Sequence, residues 1–311
     1  MRFVASCIFT FVIVAVNGQS VNFVVGERDV IPEGITIDPT NNTFYISSIH
    51  KNKIIRVKDG VASDFVQAGE FGFMGGVGLH VDAKRRILWA CSGNILGNNM
   101  QAGLFAFSLK DGALLKKVTF PSDTVSRFFN DLTISTDGTV IVTDTFGHCL
   151  WKWSLTMDVP EKLILKGRLR YPNGIVEDPS GKYWYVAADD GLARVDRKSL
   201  RVEYLSGAVP LTGIDGMGWL GNSIYAVQNA LGPGLDRLIR IQLDAAHKLE
   251  VKTIVIDQAN TNFDVPTTLA VNQGKIYVLA NSHLGQLDQA TNRITDPSKL
   301  RGPTVLVYTG K

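Results

Sequence analysis

Six times along the chain the same order of residues returns: a small or apolar run, a tight turn, a run of aromatic and β-branched residues, a polar loop, and another apolar run. The first, third and fourth copies are "GITIDPTNNTFYISSIHKNKIIRVKDG", "DLTISTDGTVIVTDTFGHCLWKWSL" and "GIVEDPSGKYWYVAADDGLARVDRKS". When the copies are aligned on their first residues, the positions immediately before them are Glu33, Val77, Asn130, Asn173, Asp215 and Thr267. The intervals are 44, 53, 43, 42 and 52 residues, the spacing of four-stranded blades of about 40–50 residues. Helical periodicity is nearly absent, and Asp-Gly, Asn-Gly and Pro turns separate short alternating runs. The predicted fold is all-β, a six-bladed β-propeller. The longer intervals contain Gly- and Asn-rich insertions at 92–103 and 228–235. A closed ring cannot be halved without exposing strand edges, so residues 19–311 are expected to form a single domain. "VNFVVGER" and "PTVLVYTGK" both read as strands available to close it.

Before the first repeat, "MRFVASCIFTFVIVAVNGQS" carries one arginine, an apolar run from Phe3 to Val16, and small residues at its end. The run is short for a membrane span, which takes roughly 20 residues, and reads as a signal peptide over 1–18. The expected location is therefore extracellular, or periplasmic in a bacterium. Asn41 in "NNT" is a glycosylation sequon in a turn, relevant if the host glycosylates. Outside the signal, Cys91 and Cys149 either form one disulfide or lie buried as free thiols. A net charge of +3, with 32 basic and 29 acidic residues interspersed, offers no basic stripe for a phosphate backbone. No nucleic-acid or membrane partner is expected, and a monomer is the default.

In a propeller the innermost strand of each blade runs along the central channel, so the six aligned side chains should converge at one mouth. Glu33, Asn130, Asn173 and Asp215 bring carboxylate or amide oxygens, with no His or Cys among the six. A hard-oxygen set of that kind suits one divalent cation, Ca²⁺ above Mg²⁺ or Zn²⁺. Turn preference alone explains any one of these residues, but not four at one repeat register.

"PEGITID", "RFFND", "YPNGIVED" and "GIDGM", in this order over nearly the whole chain after the signal, resemble the regucalcin, gluconolactonase and luciferin-regenerating-enzyme family. The resemblance implies a six-bladed propeller with one catalytic divalent cation, usually calcium, in its tunnel. Carried over by position, Glu33, Asn173 and Asp215 match the family's metal ligands, and Asn130 the additional asparagine that binds directly or through water. It also makes Asp215 the candidate catalytic base or nucleophile in hydrolysis of a lactone or related ester, a small-molecule substrate. Two departures stand out. Phe128 occupies the position where family lactonases acting on sugar acids often carry Arg, with Arg127 one residue further away, and Val77 stands where paraoxonases begin the second blade with His.

Loops at the same mouth place His50, Asn94, Asp144, His148, Asn229 and His283 near the rim together with Arg127 and Phe128. Any His there could assist proton transfer. G-x-S-x-G and G-x-x-x-x-G-K-[ST] are absent. The leading expectation is an exported calcium-dependent hydrolase. Its rivals are a secreted propeller that holds calcium structurally and binds a ligand or protein, and a propeller with strictosidine-synthase-like condensation chemistry.

Overall fold

A computed structural model describes residues 19–94, 101–120, 126–229, 232, 234–244, 248–288 and 290–310. The expected signal segment 1–18 and most of the loop after Asn94 lie outside the described residues. Alternation of apolar and polar residues between Gly, Asn and Asp turns produces six sheets, antiparallel but for one short parallel edge pair in the fifth, each a blade whose innermost strand lines a central channel. These inner strands are Pro32–Asp38, Gly76–Asp82, Phe129–Ile134, Ile175–Glu177, Ile214–Leu220 and Leu269–Asn272. We number the blades 1 to 6 accordingly.

Burial follows the ring. Six apolar clusters lie between successive blades, one for each of the six interfaces including that of blade 6 with blade 1. In the cluster between blades 2 and 3, Trp89 and Trp153 pack edge to face at 5.6 Å. Cys91 is buried in that cluster and Cys149 is buried in blade 3, both as free thiols. Each face of a blade is thus a half-core that its neighbour completes, which makes closure of the ring a condition of stability.

Closure occurs in blade 6. Its strands Leu269–Asn272, Lys275–Leu279 and Thr304–Thr309 are completed on the outside by Ser20–Val24, paired antiparallel with Ser20 opposite Val307 and Val24 opposite Thr304. Both terminal strands predicted to be available for closure therefore pair with each other. Phe23 anchors the outer strand against Phe44 of blade 1, with ring centroids 5.0 Å apart. Deleting residues 19–24 is expected to cost about 3 kcal/mol from lost burial of Phe23 and its neighbours and to bare the edge of Thr304–Thr309 to other chains. Thermal denaturation with light scattering would show a lower melting point and earlier aggregation.

The segment between the second and third strands of blade 6, residues 280–303, was not resolved by the repeat alignment. It forms a short ribbon, Leu287–Asp288 with Arg293–Ile294, and buries Leu287 and Leu300 against Ile31 and Ile49 of blade 1. It therefore folds over the mouth at which the inner strands begin.

Candidate functional site

The channel encloses about 430 Å³ along the inner strands and is lined by Glu33, Asn130, Asp131, Asn173 and Asp215 at the strand starts. A repeated irregularity aims these side chains. In blade 1, Pro32 pairs with Ser48 and the next pair is Ile35 with Ile46, so the inner strand carries one extra residue at Glu33–Gly34. The same extra residue occurs at Val77–Gly78, Asn130–Asp131 and Asp215–Gly216. Blade 4 repeats it in hydrogen bonds, since Asn173 donates to the Ala187 carbonyl while Ala187 donates back to Gly174. A β-bulge of this kind bends the strand and redirects a side chain, here from the blade interface toward the axis.

The second bulge residue is glycine in four blades because the next blade's backbone lies against it. A Cβ on Gly34 would clash with the Val77 carbonyl, and one on Gly174 with the Asp215 carbonyl. Gly174→Ala is accordingly expected to destabilise the protein by about 3 kcal/mol and, should the channel carboxylates hold a cation, to weaken its binding by displacing Asp215. Thermal denaturation and calcium calorimetry on the variant measure the two effects separately.

Not all six aligned residues reach the channel. Val77 is buried in the core between blades 2 and 3, and the Thr267 hydroxyl donates to the Glu33 backbone carbonyl at 2.8 Å. The oxygen that replaces them was missed in the sequence: Asp131, in the bulge position that is glycine in blades 1, 2, 4 and 5. Its Oδ1 accepts from its neighbour Leu132 N–H at 2.8 Å and its Oδ2 from Ile175 N–H of blade 4 at 3.1 Å. The signal was the dipeptide Asn-Asp where blades 1, 4 and 5 read Glu-Gly, Asn-Gly and Asp-Gly.

Three carboxylates thus meet at the strand starts of a channel whose lining contains no Lys or Arg among the described residues. Burial raises the Glu33 carboxyl well above its usual range, and the charges of Asp215 and then Asp131 raise it further. Asp131 is pushed up to about 7, mainly by burial, against the lowering effect of its two backbone donors. Asp215 is also pushed up to about 7 by burial, against hydrogen bonds from Asn229 and Asn173. Asn229 donates to Asp215 Oδ2 at 2.5 Å and to the Pro266 carbonyl at 2.9 Å, which fixes the carboxylate. Such uncompensated charge, with the Asn130 and Asn173 amides beside it, is a donor set that fits a hard cation. No group of three or more His, Cys, Asp or Glu with metal-holding geometry occurs among the described residues. A cation here would therefore have to be held by carboxylates and amides together.

The remaining rim candidates fall into different places. His283 is buried, with Nδ1 2.6 Å from Asp264 Oδ2 and Nε2 accepting from Arg301 N–H at 3.0 Å, so both ring nitrogens hold the segment over the mouth. His50 Nδ1 lies 3.3 Å from Asn292 Oδ1 of the same segment. Asn94 lines a separate cavity of about 320 Å³ between blades 1 and 2 and that segment. Asp144 is buried and accepts from Phe128 N–H, Gly147 N–H and the Trp151 indole. His148 is exposed and its Nδ1 accepts from Tyr171 N–H at 3.0 Å. The Arg127 guanidinium lies over the Phe120 ring of blade 2, 5.0 Å from its centroid, and Phe128 contacts Phe146 with ring centroids 5.8 Å apart. Further down, the His80 side chain faces the channel space, and desolvation within the channel lowers its pKa. Asn41 is exposed in the turn at the far mouth, its Oδ1 accepting from Thr43 N–H.

No family model matches the chain, and no curated protein matches it either. Solved structures do. A gluconolactonase from Xanthomonas campestris superposes with a TM-score of 0.61 at 12% identity, covering 92% of this chain and 88% of that one. A calcium-binding regucalcin from Agrobacterium tumefaciens gives 0.63 at 16% identity, covering 96% and 97%, and a luciferin-regenerating enzyme gives 0.63 at 13%, covering 94% and 98%. At these identities the likeness establishes the fold: the chain is a six-bladed β-propeller of the architecture shared by gluconolactonase, regucalcin and luciferin-regenerating enzyme.

Proposed function

We propose that the protein is an exported hydrolase of a lactone or related ester, dependent on one divalent cation, calcium by preference, held by Glu33, Asn130, Asn173 and Asp215. The observation that carries this reading is the convergence of the Glu33, Asp131 and Asp215 carboxylates with two amides in a channel whose lining holds no Lys or Arg among the described residues. When bound there, the cation supplies carbonyl polarisation and stabilisation of developing negative charge. Asp215, oriented by Asn229, takes a proton from water as the water oxygen bonds to the carbonyl carbon. The acyl C–O bond then breaks and the departing oxygen receives that proton, leaving an acid and an alcohol. Glu33 and Asn173 orient, while Asp131 holds blade 4 through Ile175 N–H and adds negative charge to the channel.

The solved relatives named for lactonase or calcium binding support the reading through shared fold. The test is calcium calorimetry together with hydrolysis of a lactone and aryl-ester panel, with and without chelator. Turnover that requires added calcium is the expected result. Tight calcium binding with no turnover of any panel member would favour a ligand-binding propeller, and no metal binding would remove the basis of the reading.

A further inference from the structure

At the mouth directly above the ring, blades 3 and 4 present aromatic surface. Phe128 and Tyr171 occupy the same register, two residues before Asn130 and Asn173. The corresponding positions in blades 2 and 5 are Gly75 and Gly213, so the aromatic surface lies on one side of the mouth. Tyr171 is 43% exposed and Phe146 is 38% exposed, although aromatic rings of this size ordinarily bury most of their area.

The surface is held rigidly. Thr145 N–H donates to the Phe128 carbonyl at 2.9 Å and its hydroxyl to the Pro172 carbonyl at 2.7 Å, tying the blade-3 turn to the blade-4 inner strand. Tyr171 N–H is bound by His148 Nδ1, and the His148 and Tyr171 rings meet edge to face at 4.4 Å. Both residues carry left-handed backbone, φ 45° at Tyr171 and 51° at His148, which costs about 1–3 kcal/mol per non-glycine residue. The left-handed backbone at Tyr171 belongs to the repeat, since Ile31, Gly213 and Val265 carry it two residues before the ring positions of their own blades, and in blade 4 the position it presents is an aromatic ring. The Arg170 guanidinium lies over the Tyr171 ring, 5.7 Å from its centroid, and is paired with Asp189 at 3.4 Å, while that of Arg127 lies over Phe120.

We propose that Phe128, Phe146 and Tyr171 form an aromatic shelf that binds the substrate, and that the substrate is an ester or lactone carrying an aryl group rather than a polyhydroxylated lactone. The proposal rests on the hydrolase reading for the reaction but not for the binding. An aryl ring laid on the shelf directs its adjacent carbonyl down toward Asn130, Asn173 and Asp215, and burying it removes apolar area on both sides from water.

The test compares dihydrocoumarin, phenyl acetate and δ-gluconolactone as substrates in excess calcium, and measures binding of 2-tetralone, a non-hydrolysable ketone of similar shape, by calorimetry. Dihydrocoumarin is expected to exceed δ-gluconolactone in kcat/KM by at least about tenfold. The double variant Phe146→Ala with Tyr171→Ala should raise KM for dihydrocoumarin and weaken 2-tetralone by about tenfold, with kcat changed less. Tyr171→Phe should restore most of the loss, and Phe71→Ala, an exposed aromatic away from this surface, should change neither. Weakened 2-tetralone binding in the double variant without turnover of any ester would sustain the shelf while overturning the hydrolase reading. Preferred turnover of δ-gluconolactone, with KM values indifferent to the double substitution, would overturn the shelf and leave the hydrolase. Failure of 2-tetralone to bind would overturn the shelf outright.

Discussion

Asp215→Asn is expected to lower ester or lactone hydrolysis by roughly 10²–10⁴-fold while making the metal-free protein more resistant to heat. The two effects share one cause. Asp215 is buried, and its charge adds to those of Glu33 and Asp131 in a channel without a compensating cation among the described residues. An amide removes the base and one of three repelling charges, yet keeps a side-chain oxygen for Asn229. Steady-state kinetics and melting in chelator at pH 8 measure the pair of effects. Undiminished turnover would remove Asp215 from the chemistry, and a lower melting point would show that the three carboxylates do not oppose one another.

The second large effect concerns pH and calcium together. Asp131 and Asp215 are pushed up to about 7 in the folded chain, far above the ordinary carboxylate value near 3.9 of an unfolded chain. Between about pH 4 and 7 the folded state therefore holds more protons than the unfolded state, and stability falls as pH rises through that window. Without metal, the protein should lose on the order of 5 kcal/mol between pH 5 and 8 from these two groups. On the proposed reading calcium competes with those protons, so its stabilising effect should be largest at pH 8 and fade toward pH 5. Melting curves across this range, with excess calcium and with chelator, should cross; parallel curves would mean that the cation binds elsewhere or not at all.

Much of the architecture was legible before any coordinate was known, because a blade is a local object. Each repeat pairs neighbouring strands through short turns, so the six inner strands appear at the aligned positions. Glu33, Asn130, Asn173 and Asp215 share that register, and the bulges at the strand starts turn them into one channel. Val77 belongs to the same register and does not reach the channel, since an apolar side chain there gains more from the core between blades 2 and 3. Thr267 is likewise at the expected position, but its hydroxyl satisfies the Glu33 carbonyl across the closing interface, a partner 234 residues away in sequence.

Asp131 was hidden for a related reason. Sequence alignment treats the residue after the ring position as the first residue of a strand, whereas the bulge makes it a second channel position. Glycine at that position in blades 1, 2, 4 and 5 reflects close approach of the next blade, which no single repeat reveals. His283 reads as a rim histidine because it lies in the loop after the second strand of blade 6; the structure keeps it in the segment over the mouth, with both nitrogens engaged by Asp264 and Arg301.

Read from the sequence alone, the period of the repeats determines the number of blades, and the residue types at one register determine that oxygen donors meet on an axis. Both are consequences of local alternation and turn chemistry repeated six times. Tertiary structure alone decided which terminal strands close the ring, where the bulges turn side chains toward the channel, and that a third carboxylate stands among them. It also decided that Cys91 and Cys149 remain free buried thiols and that aromatic rings from two blades share one side of the mouth. Each of these depends on contacts between segments far apart in the chain, whose geometry exists only once neighbouring blades have packed and the ring has closed.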